Sequence, residues 1–334
     1  MQARLAPLRL CAYEDRPAAM DSLVLMGESL CAVDRETELH LSVPDAPDFV
    51  RAWAHRWPQV VLSADRPEGV TGWDVKPWLL LQQLNDGCPE AVWMDDDIIV
   101  TRPVSTMVRE FPGDVLLFAE EWGLWTVSAS PFWGLPSVRP MQLFNNCFIR
   151  VTQAHRALLE RWLQMTRDPR YRAAQALPYE QRPVELQHDG WLLIALLESE
   201  EFGQVPFDTI RLGSHIAQCA GSSGYRPYHR LLDLFRGLPP LIHSLGRKPW
   251  GVSPESGPMQ RFLLDLATDV SPYVLAAQRV ATEIGLHPDW LKPRTRLGGL
   301  FRRLTGGHPG LAGLPLASVH ALEVRLRRMM GAKE

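Results

Sequence analysis

Short apolar runs alternate with amphipathic segments through the first 100 residues, and this alternation constrains the chain most. "LRLCAY" (8–13), "ELHLSVP" (38–44), "QVVLSA" (59–64) and "AVWMDDDIIV" (91–100) read as strands. The segments between them, "AAMDSLVLMGESLCAV" (18–33), "DAPDFVRAWAHRW" (45–57) and "VKPWLLLQQLN" (75–85), read as helices. Met20, Leu23, Val24, Met26 and Leu30 can share one helix face. Pro77 suits a helix start, and "DGCP" a stop. Strands alternating with helices predict an α/β fold with a mainly parallel sheet flanked by helices. Beyond Pro103 the pattern loosens. "DVLLFAEE", "FNNCFIRVT", "VPFDTIRL" and the start of "PPLIHSLGRKPWG" read as strands, and "QAHRALLERWLQMTR" and "LQHDGWLLIALLESEEF" as helical. After Gly251, helices with Pro and Gly breaks carry the chain to its end.

Within the fourth strand run, Asp95, Asp96 and Asp97 stand between apolar, β-branched neighbours. Charges in a run suited to burial are costly unless compensated. On a strand, Asp95 and Asp97 would share one face roughly 7 Å apart, with Asp96 turned away. Two such charges repel by about 2 kcal/mol at an effective dielectric near 20. A divalent cation between them reverses the sign, and carboxylates are the oxygen ligands that Mg²⁺ and Mn²⁺ take. Strand C-termini in α/β sheets are also where ligands sit. The alternative is a solvated acidic turn.

The composition excludes other classes. Of 334 residues, 46% are hydrophobic and the formal net charge is -3, so there is a sizeable core and no global signal for nucleic acid. Five cysteines lie far apart with no zinc spacing, which fits a reducing compartment. No apolar run reaches the roughly 18 residues of a membrane span, and the N-terminus lacks a signal-peptide core. A cytoplasmic protein is expected. From Leu291 onward nine Lys/Arg face two Glu, a basic tail on an otherwise acidic body. Its apolar residues, among them Leu322 and Leu326, are expected to give a partly amphipathic helix. That helix would attach peripherally to an anionic membrane face or pack on the body.

"VWMDDDIIVTRP" resembles the "LDADIIV" segment of GT-A fold nucleotide-sugar glycosyltransferases, especially glycosyltransferase family 8. Further segments follow that family's order: "CAYED" (11–15), "DVKPWLLLQQL" (74–84), "FNNC" (144–147), "QHD" (187–189) and "IHSLGRKPW" (242–250). The resemblance spans residues 8–251. It implies a GT-A catalytic domain over 1–251 and a helical, basic extension over 252–334. The implied fold is Rossmann-like, with a mixed, mainly parallel sheet. The implied activity is metal-dependent transfer of a hexose from a nucleotide-diphosphate sugar, UDP-glucose or UDP-galactose, to a glycan or glycolipid hydroxyl, with retention.

The resemblance also implies roles. Asp95, Asp97 and His243 would hold Mn²⁺ or Mg²⁺, and the imidazole leans the set to manganese. Gly246 would let the backbone approach the diphosphate. Lys248 would neutralise the leaving group. Ala12, Glu14 and Asp15 would meet uracil and ribose, Lys76 the donor, and Asn145 the sugar. Two departures stand out. The family's "DQD" is "QHD" here, with Gln187, His188 and Asp189, which opens the stereochemical course; for inversion the candidate base is Asp189 or His188. The loop from Gly246 to Lys248 is one residue shorter. Two rival functions are a non-catalytic nucleotide-sugar binder on the same scaffold and a phosphatase using Asp95 as nucleophile.

Overall fold

The computed structural model describes residues 7–121, 126–221, 224–251 and 257–329. Among these, the strands are β1 (Leu8–Tyr13), β2 (Thr37–Ser42), β3 (Val60–Ser63), β4 (Glu90–Met94), β5 (Ile98–Val100), β6 (Leu116–Glu120), β7 (Thr126–Val127), β8 (Met141–Gln142), β9 (Phe144–Thr152), β10 (Phe207–Ile210), β11 (Ile216–Gln218) and β12 (Leu241–His243). The helices are α1 (Met20–Val33), α2 (Asp48–Ala54), α3 (Lys76–Asn85), α4 (Val104–Val108), α5 (Arg156–Thr166), α6 (Pro169–Gln175), α7 (Asp189–Glu198), α8 (Pro227–Arg236), α9 (Pro258–Asp269), α10 (Pro272–Ile284), α11 (Arg296–Leu304), α12 (Pro309–Ala312) and α13 (Leu314–Met329).

The chain forms two compact units, each discontinuous in sequence. The first comprises residues 1–15, 35–96 and 105–210; the second comprises 16–34, 97–104 and 211–334. The first unit holds a seven-stranded sheet in the order β10-β6-β9-β4-β1-β2-β3. Its pairs are parallel except those of β9, which runs antiparallel to β4 and to β6. The central strands β1 and β4 are buried except at the half-buried Arg9 and Glu90, as suits a parallel sheet covered by helices on both faces. Trp93, Phe118, Ile149, Trp162 and Leu192 anchor one core cluster of this unit.

The second unit holds a three-stranded sheet, β11-β12-β5, with β5 antiparallel to β12. Its core gathers Leu25 of α1, Ile99 of β5, Ile242 of β12, and Tyr273 and Val274 of α10. At the end of α9, buried Asp269 accepts from Arg294 N (2.8 Å), Thr295 N (2.8 Å) and Thr295 Oγ1 (2.7 Å). Arg302 of α11 donates to the Asp269 carbonyl (2.6 Å) and the Leu291 carbonyl (2.7 Å). A Cβ on Gly298 would sit 2.3 Å from Asp269 Oδ2, so the close approach of α11 requires glycine there.

The structure corrects one expectation. The sequence predicts a single strand over 91–100; the chain makes two. β4 ends at Met94, residues 95–97 form the turn, and β5 begins at Ile98 in the other sheet. A covered strand has no compensation for three successive carboxylates, so the strand stops where they start. Alternation on one strand therefore does not orient Asp95 and Asp97. Asp96 is buried too.

Candidate active site

In the first unit, polar side chains collect where β1, β4 and β9 meet the starts of α3 and α7. Lys76 is the first residue of α3 and is buried. Its ammonium lies 3.1 Å from Asp95 Oδ1 and donates to the Asn146 carbonyl at 3.0 Å. Burial alone would lower its pKa; the charges of Asp95 and then Asp189 outweigh that and hold it above the usual lysine value. Asp95 follows β4 directly. Its Oδ1 also accepts from Trp93 Nε1 (2.6 Å), and its N–H donates to the Cys147 carbonyl (2.8 Å).

Asn146 Nδ2 donates to Asp189 Oδ2 at 2.8 Å. Asn146 thus links Lys76 to Asp189 through its backbone and side chain. Sequence reasoning missed it; the second Asn of "FNNC" was the available signal. Asp189 opens α7, and His188 caps that helix by accepting from Gly190 N at Nδ1 (3.1 Å). Burial pushes Asp189 up to about 6, against the pull of Lys76 and the Asn146 bond. Burial, then Lys76 and Arg182, push His188 down to about 4. Gln187 Oε1 accepts from Tyr179 OH at 3.3 Å. Buried Asp74 accepts from Tyr171 OH at 2.6 Å and is pushed up to about 7, first by burial and then by the Asp189 charge.

The remaining predicted residues of this unit lie at strand ends. Ala12 and Glu14 are buried, Ala12 inside β1 and Glu14 just beyond it. Asp15 accepts from Tyr13 OH at 3.2 Å. Asn145 lies opposite Ala119, beside the irregularity between Phe118 and Ala119, and donates to Glu121 Oε2 at 3.1 Å.

In the second unit, Asp97 receives two groups that lie far away in sequence. Lys248 Nζ pairs with Asp97 Oδ2 across 151 residues and donates to the Ser244 carbonyl at 2.9 Å. His243 Nε2 is 3.5 Å from Asp97 Oδ1. Burial would raise the Asp97 pKa; Lys248 and then His243 outweigh it and hold the carboxyl well below the usual range. His243 Nδ1 lies 3.0 Å from Oε1 of buried Gln218. When Nδ1 donates there, Nε2 keeps its lone pair toward Asp97, as in an imidazole ligand fixed by an outer partner. Gly246 has φ +77, and no protein atom lies within 4 Å of where a Cβ would stand. That conformation favours glycine and leaves open space beside the loop.

Asp95 and Asp97 are two residues apart, so the peptide itself keeps them close. Asp95, Asp97 and His243 each offer one ligand atom within 4.8 Å of the others. One half-exposed and one buried carboxylate plus an imidazole whose Nδ1 meets Gln218 fit a divalent cation. Ammonium groups neutralise both carboxylates in this structure, Lys76 at Asp95 and Lys248 at Asp97.

The raised carboxyls predict a pH dependence. The folded chain holds a proton on Asp189 that the unfolded chain, near pKa 4, has released. Stability therefore falls as pH rises from about 4 to about 6. Asp189→Asn removes this contribution. In urea unfolding, the variant should gain on the parent by about 3 kcal/mol across that window. A pH-independent difference would count against the raised pKa.

No family model matches the sequence, and no curated protein does. Solved structures do. An active-site mutant of LgtC is similar over 84% of this chain and 98% of its own, at 12% identity and TM-score 0.50. The galactosyltransferase LgtC in complex with donor and acceptor sugar analogues is similar over the same shares, at 14% identity and TM-score 0.48. A glycosyltransferase involved in glycosylation of the major capsid of PBCV-1 matches 72% of this chain and 94% of its own, at 10% identity and TM-score 0.41. The first of these likenesses shows the fold: the mixed, mostly parallel sheet flanked by helices is that of GT-A glycosyltransferases.

Proposed function

We propose that this chain is a cation-dependent glycosyltransferase. It would move a hexose from UDP-glucose or UDP-galactose to a hydroxyl of a glycan or glycolipid, with retention. The observation that carries the reading is the meeting of Asp97 with His243 and Lys248, residues the sequence keeps about 150 positions apart. Nothing in core packing requires that buried charge cluster, and buried charges need a compensating partner.

Bound at Asp95, Asp97 and His243, Mn²⁺ or Mg²⁺ would supply Lewis-acid neutralisation of the diphosphate. Lys248 would present its ammonium to a phosphate oxygen whose charge grows as the anomeric bond breaks. Gly246 leaves room for that phosphate. Ala12, Glu14 and Asp15 at the end of β1 take the uridine, and Asn145 takes the sugar. Lys76, charged and buried, holds Asp95 in place and, through Asn146, the Asp189 carboxylate. Asp189 faces the sugar side and stabilises positive charge at the anomeric centre. An inverting course would instead use Asp189 as base, since a carboxyl near 6 is mostly ionised at neutral pH and more basic than an ordinary carboxylate. We assign this chemistry to residues 1–251 and carry 252–334 as the extension. All five cysteines are buried and none is in a disulfide, which supports a reducing, cytoplasmic setting.

The test is a panel of nucleotide sugars with and without Mn²⁺, read by thermal shift and by release of UDP. UDP-glucose or UDP-galactose should raise the midpoint only with the cation and should be hydrolysed slowly. A shift without turnover, with or without acceptors, would favour a binding protein. Phosphate release independent of the sugar would favour a phosphatase.

A further inference from the structure

The first unit carries a cavity that the donor chemistry does not use. It measures about 340 Å³, within the range of small-molecule sites. One wall is the turn Ser130–Trp133, and the other is the end of α5 with the start of α6. The first wall is pinned by a carboxylate. Glu198, the last residue of α7, is fully buried. It accepts from Ser128 Oγ (2.6 Å), Ala129 N (2.7 Å), Ser130 N (2.8 Å) and Ser137 Oγ (3.2 Å). Burying a carboxylate is costly, and here both of its oxygens serve to order one exposed loop. Gly134, at φ +69, closes the turn. Trp133 is therefore held in place before any ligand arrives. Asp189 opens α7 and Glu198 ends it, so about 14 Å of helix rise separates this anchor from the candidate active site.

The second wall is cationic. Arg161, Arg167 and Arg170 line the cavity against one acid, Asp168. Asp168 is already committed to Arg170, accepting from its N (2.8 Å), Nε (3.1 Å) and Nη2 (3.2 Å). The Arg170 guanidinium lies 4.7 Å from the centre of the Trp133 ring, so the two walls meet in a cation–π pair. Arg161 donates to Gln164 Oε1 at 2.7 Å and lies 3.5 Å from Glu201. Arg167 is exposed, and its side chain has no hydrogen-bond or ion-pair partner among the described residues. One guanidinium thus remains unmatched beside an aromatic ring and the Gln164 amide. A guanidinium fork takes a carboxylate or phosphate bidentately, and an aromatic wall with a few polar groups suits a ring that carries hydroxyls.

We propose that this cavity is a second binding site, for a sugar unit that carries a carboxylate or a phosphate. The sugar half of the assignment rests on the reading of this chain as a glycosyltransferase, whose acceptor glycan would be gripped here, away from the transfer centre. The anionic half rests on the arginines.

The experiment uses the full chain without nucleotide or divalent cation. It follows the indole N–H resonance of Trp133 by proton–nitrogen NMR, assigned by its loss in Trp133→Phe. Glucuronate and glucose 6-phosphate should each shift that resonance saturably. Glucose and inorganic phosphate should need at least about tenfold higher concentrations, since each lacks half of the recognised chemistry. Arg167→Gln should weaken both sugar anions about tenfold, the worth of one charged hydrogen bond, with the thermal melt of the parent. Its side chain is exposed and unpaired among the described residues, so folding is not at stake. Sugar anions that leave the Trp133 resonance unmoved overturn the site. Inorganic phosphate binding as tightly as glucose 6-phosphate overturns the sugar assignment. Arg167→Gln binding as the parent does overturns the assignment of the anion to the unmatched guanidinium. A saturable Trp133 shift alongside a failed UDP-sugar panel supports the site and removes only the transferase reading.

Discussion

Asp97→Ala should abolish cation-dependent donor binding and lower turnover by about two to three orders of magnitude. That is the cost typical of losing one positioned electrostatic group at a reacting centre, about 3 to 4 kcal/mol. Asp97 is fully buried, faces His243 and pairs with Lys248, so its removal strips two cationic or ligating groups of their acceptor. Asp97→Asn keeps the shape and removes the charge. It should bind donor without any response to Mn²⁺, read by titration calorimetry with and without the ion. Asp95→Ala should also lose the cation response. Its carboxylate is partly exposed and already shared with Lys76 and Trp93, so its fold should be less disturbed. A variant at Asp97 that retains Mn²⁺-dependent UDP binding would dismiss the metal assignment.

Asp269→Ala should be the most damaging change to stability away from that centre. The carboxylate is fully buried and accepts two backbone N–H groups and the Thr295 hydroxyl. It also lies 3.8 Å from the Arg302 guanidinium. Removing one partner of a buried charge pair costs about 3 to 5 kcal/mol, because the other charge stays buried and uncompensated. Burial already lowers the Arg302 pKa, so that guanidinium is poorly placed to lose its counter-charge. The urea midpoint should drop accordingly, and α9 and α11 should lose protection in hydrogen exchange before the first unit does. An unfolding free energy within about 0.5 kcal/mol of the parent, a surface-like value, would show that the pair does not hold the two helices.

Much of this was legible in the sequence, for identifiable reasons. β1, β2, β3 and α3 announce themselves by period and by proline or glycine stops, and β9 spans the same nine residues that the apolar pattern marks. The GT-A topology was legible through the order of motifs rather than through any one of them. The break at Asp95–Asp97 was not. Ile98, Ile99 and Val100 have the same β-branched character whichever sheet they join, and periodicity carries no information about partners. β11 escaped because "IAQ" is too short to stand out, although its Gln218 fixes the His243 ring. Asn146 escaped because a polar residue in a strand looks like any edge residue until Asp189 arrives beside it from 43 positions away.

The arrangement of β5 has a consequence for synthesis. Among its described sheet neighbours, β5 has one partner, β12, in the register Val100 to Leu241. At ribosomal rates of roughly 5 to 20 residues per second, the partner emerges about 7 to 30 seconds after β5 does. The seven-stranded sheet needs nothing beyond Ile210 and can close before then. The strand that carries the chain away from Asp97 therefore waits for its sheet partner, with only α1 to pack on, through the Val100 N–H to Ser29 Oγ bond (3.0 Å). Closing a loop of that length late is slow. An arrested nascent chain ending near residue 220 should show protease protection across β4 and β9 but cleavage within residues 98–104. The acidic turn at the head of that strand would then be among the last parts of the protein to acquire its shape, and the charges on Asp95–Asp97 would keep the waiting segment soluble until it does.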